Sequence, residues 1–232
     1  MEPTDHNRRA WEERQRRRAA NEPAAPPLPA AVSERLPSLA GRHLLHLACG
    51  TGYASRELAR LGALVTAVDS DGEALAELID DAPPGVAAVH ADPQQLPLEL
   101  RRSRFDLVYA GAGSTSELRD LPAWAAGIAA ALRPGGGLVL HEYHPVALCV
   151  DPLGRWREDY FDGEIANMTR ERIELSLQPV RFFPLGQVVT GMIGAGLAIR
   201  SLEELRPERR WGPPSPDERI PATYLLLAEK RI

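Results

Sequence analysis

The chain has 232 residues, 44% hydrophobic and 25% charged, which supplies enough apolar side chain for one α/β domain and makes a second full domain unexpected. A net charge of −5 argues against a nucleic-acid-binding protein, which would show a basic face. No apolar run reaches the length of a membrane span, and the first residues lack a secretory hydrophobic core. With only two cysteines, Cys49 and Cys149, we expect no disulfide framework and a cytoplasmic protein.

The first 37 residues are expected to precede the main domain. Residues 1–20 are strongly charged around a single large aromatic residue, Trp11, and fit either a solvated tail or a helix. Five prolines between residues 21 and 37 interrupt any continuous helix, so this stretch is predicted to be a semi-rigid linker. The main domain is then expected over residues 38–232.

An apolar run at residues 44–47 continues into the small residues from Ala48 to Gly52, and a helical pattern follows from Tyr53 to Leu61. This order predicts a strand, a tight turn and a helix. Glycine lets a backbone approach a ligand closely, and the free N–H groups at the start of the helix face the same point. We therefore expect a nucleotide-containing cofactor above this strand.

A second strand is predicted at residues 63–68 and stops at Asp69. A carboxylate at this tip can accept both ribose hydroxyls of an adenosine, which NAD, FAD and S-adenosylmethionine share. The dinucleotide fingerprint places a third glycine three residues after the second, where this chain has Ser55. The pattern therefore does not favour a dinucleotide, and an ordinary β–turn–α unit is the alternative.

A helix at residues 71–79 and a third strand at residues 86–90 follow. Asp92 comes directly after that strand and fits either a cofactor ligand or a helix cap, since Gln95 follows three residues later. A fourth strand is predicted at residues 104–110, with Asp106 in a structural role. The next predicted helix, residues 122–132, carries Trp124 as a packing residue.

Polar residues appear at the end of the fifth predicted strand, residues 138–143, where a buried parallel strand should remain apolar. His141, Glu142 and His144 lie there, yet strand alternation sends the two histidines to opposite faces, so a metal site is not favoured. Each histidine fits either a general base or a hydrogen-bonded structural residue. We consider His144 a better candidate for the general base than His141, because His144 lies just beyond the strand and Pro145 restricts the backbone of His144 to extended conformations.

The last part of the chain has a weaker pattern. Residues 147–180 carry scattered aromatic residues among charges. A helix is predicted at residues 183–197, and strands at residues 198–203 and 222–228. Five prolines fall between residues 206 and 221, so this stretch is predicted to be an extended crossing.

Five stretches in this order resemble class I S-adenosylmethionine-dependent methyltransferases: Leu47 to Gly52, Asp69, Ala91-Asp92, Phe105 to Val108, and Leu132 to Leu138. The resemblance covers residues 40–145 closely. Two positions depart from the family pattern: His46 stands where an acidic residue is common, and Ala48 where glycine is usual. The resemblance implies cofactor-binding roles for His46, Ala48, Cys49, Gly50, Gly52, Asp69, Ser70, Asp92, Pro93 and Ala110.

The resemblance also implies a Rossmann-like seven-stranded sheet, mostly parallel, with helices on both faces and the last strand antiparallel. It implies methyl transfer from S-adenosylmethionine to an oxygen or nitrogen of a small molecule, leaving S-adenosylhomocysteine. Residues 1–37 would then supply a lid helix and its linker, and residues 147–180 an acceptor-pocket insertion. We expect a monomer or a homodimer. An NAD-dependent oxidoreductase and a catalytically silent cofactor-binding or interaction module remain as alternatives.

Overall fold

The computed structural model describes residues 28–115, 118–151, 154–165, 180–207 and 219–232. Within these residues a seven-stranded sheet has the order β3-β2-β1-β4-β5-β9-β8, and β6 and β7 form a separate two-stranded sheet. The strands are β1 (His43–Leu47), β2 (Leu64–Asp69), β3 (Val86–His90), β4 (Phe105–Ala110), β5 (Leu132–Tyr143), β6 (Glu164–Ile165), β7 (Val180–Arg181), β8 (Leu197–Leu205) and β9 (Thr223–Lys230). The helices are α1 (Ala30–Arg35), α2 (Tyr53–Arg60), α3 (Gly72–Asp80), α4 (Leu121–Ala131), α5 (Pro145–Cys149) and α6 (Leu185–Gly194).

The strand order reverses beside β1, which pairs in parallel with β2 on one side and β4 on the other. Leu47 therefore lies opposite both Val68 and Ala110, and the carboxyl ends of these strands meet at one edge. In open α/β sheets this reversal opens a crevice in which ligands bind. β9 lies antiparallel between β5 and β8, so the predicted sheet with an antiparallel last strand is confirmed.

Helices cover both faces of the sheet because its central strands are apolar on both sides. Val32 of α1, Leu58 of α2 and Leu75 of α3 pack on one face. Trp124 of α4 and Met192 of α6 pack on the other. Trp124 is 1% exposed, which confirms its predicted packing role, and full burial of such a side chain contributes roughly 1.5–3 kcal/mol.

Asp106 has the structural role that its place at a strand start predicts. Its carboxylate accepts the His43 N–H at 2.8 Å and pairs with Arg133. The carboxylate thereby links the starts of β1, β4 and β5 at the amino edge of the sheet, away from the crevice.

Two local predictions differ from the structure. Residues 30–35 form α1 within the predicted linker, because Pro29 and Pro37 flank the helix without interrupting it and Val32 is fully buried. β5 begins at Leu132, earlier than residue 138, and a register shift against β4 accommodates the glycine-rich residues 135–137. Trp11 and the predicted lid at residues 1–20 lie outside the described residues, as do residues 21–27 of the predicted linker and residues 116–117, 152–153, 166–179 and 208–218.

No helix in the described ranges combines the length and apolarity needed to cross a lipid bilayer.

Gly52 is the residue that allows α2 to pack against α3. It precedes α2 with a φ of +80°, a left-handed conformation, and a Cβ added there would overlap the side chain of Leu78 on α3. An L side chain at this position would meet both a backbone penalty and a steric one.

We expect Gly52→Ala to lower the free energy of unfolding by about 2–4 kcal/mol, from the left-handed backbone and the overlap with Leu78. Gly186→Ala is the matched control, since no atom lies within 4 Å of the added Cβ and the residue is in α6, where alanine is favoured. Urea unfolding of both variants measures the difference. Equal stabilities would contradict the assigned role of Gly52.

Candidate functional site

The turn after β1 presents backbone more than side chain to the crevice. Ala48, Gly50 and Gly52 have φ values of 51°, 52° and 80°, all in the left-handed region. The N–H groups of Cys49, Gly50 and Gly52 are hydrogen-bonded within the protein, and α2 begins directly after the turn, so the first turn of α2 directs its free N–H groups toward this edge. Ala48 adopts a conformation that glycine takes more readily, at a cost of about 1–2 kcal/mol.

Asp69, at the tip of β2, holds this turn in place. Its Oδ2 accepts the Gly50 N–H at 2.7 Å, and its Oδ1 accepts the Asp71 N–H at 2.9 Å. Burial raises the pKa of Asp69, and the backbone hydrogen bonds oppose that shift. Each carboxylate oxygen has a second lone pair, so the pair of oxygens can also accept the two hydroxyls of a ribose. A ribose-bearing cofactor fits this pair of acceptor oxygens.

The remaining cofactor residues predicted from the sequence lie along the same edge. Ser70 is exposed next to Asp69, and Ala110 is buried at the tip of β4. Asp92 is exposed after β3 and accepts the Gln94 N–H at 2.8 Å, so it stabilises a turn and not an α-helix. Pro93 follows it and is half-buried. Cys49 is buried, and burial raises the pKa of its thiol, so this cysteine is a neutral residue of the turn.

His46 occupies the position where the resemblance has an acidic residue, and its surroundings keep it neutral. The ring is 3% exposed, its Nδ1 lies 2.7 Å from Ser55 Oγ, and its centroid lies 5.1 Å from that of Tyr109. Burial lowers its pKa to about 3. The hydroxyl of Ser55 thus occupies the place of the third glycine in a dinucleotide fingerprint and ties α2 to β1.

A pocket lies on the other side of the β4 tip. Its lining includes Thr115 from the loop after β4, Glu142 from β5, Leu148 from α5 and Arg181 from β7. Leu148 belongs to the predicted acceptor-pocket insertion, and Arg181 follows directly after it. The cofactor turn and the pocket therefore flank one strand end.

Glu142 is the residue of this pocket whose role the sequence did not reveal. Its carboxylate is 3% exposed and accepts five hydrogen bonds: from the N–H groups of Gly113, Thr115 and Tyr143 and from the hydroxyls of Ser114 and Thr115. Burial raises the pKa of Glu142, whereas the hydrogen bonds from the backbone and Thr115 lower it. Glu142 thereby fixes the loop that follows β4.

The structure places His144 at the start of α5. Its Nδ1 accepts the Val146 N–H at 3.2 Å, so its Nε2 carries the hydrogen and donates to Glu204 at 2.8 Å. Burial lowers the pKa of His144, and Glu204 opposes the shift. Pro145 is then the first helical residue, a position in which proline is common and from which the cap could have been predicted.

His141 lies on the face of β5 opposite to that of the next residue, Glu142. It is 1% exposed, and burial lowers its pKa to about 4. Neither His141 nor His144 is among the residues that line the pocket. In the described part of the chain, no three His, Cys, Asp or Glu side chains are grouped so that they could hold a metal ion.

Comparisons with known proteins agree with this geometry. Residues 44–136 match a family model described as "Methyltransferase domain". A ubiquinone biosynthesis O-methyltransferase from Methylobacterium sp. (strain 4-46) is 34% identical over 110 residues, 42% of this chain and 39% of that protein, so the match spans less than half of the relative.

Solved structures share the fold over most of the chain. An S-adenosylmethionine-dependent methyltransferase from Mesorhizobium loti is 25% identical, with a TM-score of 0.70 over 86% of this chain and 96% of the other. A SAM-dependent methyltransferase from Methanosarcina mazei is 17% identical, with a TM-score of 0.66 over 88% and 99% of the two chains. The second likeness shows the fold alone.

The buried histidines predict acid-dependent stability. His46 and His141 have folded-state pKa values of about 3 and about 4, below the ordinary value near 6.5. Below pH 6.5 the unfolded chain therefore binds protons that the folded chain excludes. We expect the free energy of unfolding to fall by about 1.2 kcal/mol for each of these histidines between pH 6 and pH 5.

His46→Gln isolates one of these groups, because glutamine can still hydrogen-bond Ser55 but does not titrate. Urea unfolding at pH 7, 6 and 5 gives the dependence of the free energy of unfolding on pH. We expect this dependence to be weaker in the variant than in the wild type, by the contribution of one histidine. The pKa values of Asp69 and Glu142 are raised, so these two residues make the free energy of unfolding rise as the pH falls. Their contribution is the same in the wild type and the variant and therefore cancels in the comparison. An identical pH slope would show that His46 takes up a proton as readily in the folded protein as in the unfolded chain.

Proposed function

We propose, from the premise that the chain belongs to the class I S-adenosylmethionine-dependent methyltransferases and uses S-adenosylmethionine as its cofactor, that it methylates an oxygen or nitrogen of a small molecule. The observation that supports this is the placement of two sites on either side of the β4 tip. The turn held by Asp69 lies on the β1 and β2 side, and the pocket of Thr115 and Glu142 lies on the β5 side.

The backbone from Ala48 to Gly52, with Asp69, Asp92 and Ala110, would hold the cofactor. S-adenosylmethionine supplies a methyl group that its sulfonium already activates. The main task of the protein is then to hold the acceptor atom in line with that group. Orientation of this kind contributes on the order of 7–11 kcal/mol to lowering a barrier.

Proton removal from the acceptor would add roughly 10² to 10⁴ in rate if a side chain assists it. The sequence-based hypothesis names His144 before His141. The contacts of His144 support a capping role, because both ring nitrogens have protein partners. Glu142 accepts five hydrogen bonds, so its lone pairs are similarly occupied. We therefore propose that positioning provides most of the rate enhancement and that solvent takes the proton.

The two alternatives make different predictions. An NAD-dependent oxidoreductase requires room for a pyrophosphate beside α2, where Ser55 is fully buried against His46. The methyltransferase family match also disfavours it.

A catalytically silent module would bind the cofactor without turnover. Formation of S-adenosylhomocysteine with a panel of small phenols and amines distinguishes such a module from an enzyme.

We expect Asp69→Asn to weaken S-adenosylmethionine binding by roughly ten- to a hundredfold, because one neutral amide oxygen, already needed by the Gly50 N–H, replaces two charged acceptor oxygens. Asp80→Asn, an exposed residue at the end of α3, is the matched control and should bind as the wild type does. Calorimetry measures both affinities. Equal binding by Asp69→Asn would refute the ribose assignment.

His144 can be tested with two substitutions. If it caps α5, His144→Ala should lower the free energy of unfolding by about 1 kcal/mol, whereas His144→Asn, which keeps a capping acceptor, should lose less. Both variants should form S-adenosylhomocysteine within a few-fold of the wild-type rate on the same acceptor panel. A loss of about 10² in both, with unchanged cofactor affinity, would instead identify His144 as the base.

A further inference from the structure

The amino edge of the seven-stranded sheet, opposite to the cofactor crevice, collects basic side chains from three separate parts of the chain. Residues 101–104 precede β4, Arg133 lies near the start of β5, and β9 ends at this edge because it runs antiparallel to β5. The net charge of −5 for the whole chain does not reveal this local face. The resulting surface, which we call the basic patch, consists of Arg101, Arg102, Arg104, Arg133, Lys230 and Arg231.

Hydrogen bonds hold the three parts of the basic patch together. The N–H groups of Ser103 and Arg104 donate to the carbonyl oxygens of Ala130 and Ala131 at 2.9 and 3.0 Å. Lys230 Nζ donates to Ser103 Oγ at 3.1 Å and to a carbonyl oxygen of β5 at 2.7 Å. Both acceptors of Lys230 are neutral, so its positive charge is not cancelled. The loop before β4 is therefore ordered before a partner arrives, which lowers the entropic cost of binding.

Most of the positive charge of the basic patch is not neutralised. Arg133 pairs with Asp106, a buried carboxylate at the start of β4. Arg101, Arg102 and Arg231 are exposed and form no ion pair with another residue of the described part of the chain. Guanidinium groups bind phosphate oxygens through paired N–H donors. The basic patch therefore favours a partner that presents several phosphates on one surface.

Two exposed aliphatic side chains border the basic patch. Leu98 is 66% exposed at the start of a single 3₁₀ turn, and its carbonyl oxygen accepts the Arg101 N–H at 3.1 Å. Ile232 follows Arg231 directly and is fully exposed. Glu99, in the same turn as Leu98, adds one opposing charge. The partner should therefore offer an apolar layer close to its phosphates.

This combination of charge and apolar surface separates a lipid bilayer from nucleic acid. An anionic bilayer has phosphates at its surface and an acyl boundary within reach of short side chains below them. Sequence reading of a nucleic-acid duplex uses an element that enters a groove, and binding of a single strand uses exposed aromatic rings. The aromatic residue that lies next to Arg104 is Phe105, which is fully buried. The basic patch therefore matches the bilayer better.

We propose that the basic patch docks the protein reversibly on an anionic lipid surface, with Leu98 and Ile232 entering the headgroup layer. Clusters of about four to eight Lys or Arg residues are typical of surfaces that bind anionic lipids. The cofactor crevice lies at the opposite edge of the sheet, about 20 Å away along a six-residue strand such as β4. The crevice thus faces water in the docked protein, and the cofactor can still enter it.

The first test uses the full chain and two kinds of vesicle, one of phosphatidylcholine alone and one that also contains phosphatidylglycerol as roughly a third of its lipid. Sedimentation of the vesicles measures the bound protein. We expect at least about tenfold tighter binding to the anionic vesicles, and weaker binding as salt is added, because salt screens the arginines from the lipid phosphates. Equal binding to both vesicles, or binding to neither, would overturn the proposal.

Arg101→Gln and Arg102→Gln each remove one exposed charge from the basic patch. We expect each variant to bind anionic vesicles about fivefold more weakly than the wild type, and the double variant about 25-fold more weakly. Arg119→Gln is the matched control, because Arg119 is exposed just before α4, at the opposite edge of the sheet. Unchanged binding by the double variant, or an equal loss in Arg119→Gln, would overturn the proposal.

Leu98→Ala distinguishes a bilayer from nucleic acid as the partner. We expect it to weaken binding to anionic vesicles about threefold or more, because less apolar surface enters the headgroup layer, and to leave the affinity for a short DNA duplex unchanged. Ile79→Ala, at a residue that is 61% exposed on α3, is the matched control and should bind vesicles as the wild type does. Tighter binding to the duplex than to the vesicles, with no effect of Leu98→Ala on either, would assign the basic patch to nucleic acid and overturn the proposal.

Discussion

The reversal of strand order beside β1 is the constraint on which the arrangement of the site depends. The chain continues from β1 toward β2 and β3 and then crosses to β4 on the other side, so loops leave neighbouring strand ends in opposite directions. Parallel pairing in register places Leu47, Val68 and Ala110 at one level of the sheet. Backbone hydrogen bonding alone thus brings the turn after β1, Asp69 and the loop after β4 to the same edge.

A carboxylate stabilises the loop on each side of this crevice: Asp69, which is half-buried, on one side and Glu142, which is buried, on the other. Asp69 accepts backbone N–H groups from the turn after β1 and from its own loop, and Glu142 does the same for residues 113–115. In both cases the acidic group replaces the water that would otherwise solvate these N–H groups. The crevice is therefore lined by backbone whose conformation is fixed by a neighbouring strand, which is the preorganisation that alignment of two reactants requires.

Much of the fold could be predicted from local sequence. The third strand was predicted at residues 86–90 and the structure has Val86–His90, because a short apolar run between turn residues is sufficient there. The position of β9 between β5 and β8 could not be predicted, since strand order depends on contacts between distant residues. The role of Glu142 was missed for the same reason: its donors lie 27 to 29 residues away, except for Tyr143. The cofactor contacts of the predicted site residues remain predictions.

The location of β9 also governs the order in which the sheet can be completed during synthesis. β8 leaves the ribosome before β9 exists, and within the described residues β8 pairs with β9 and with no other strand. Until residues 223–230 emerge, β5 and β8 both have an edge whose backbone N–H and C=O groups are unpaired. Gly137 of β5, for example, pairs with Glu229 only once β9 is present. The chain between β5 and β9 forms a long loop, and pairing strands that are so far apart in sequence is slow. Unpaired strand edges meanwhile favour association between nascent chains. The newly made protein therefore passes through a period in which the five parallel strands β1 to β5 are already present, while the unpaired edges of β5 and β8 are open to association with other chains.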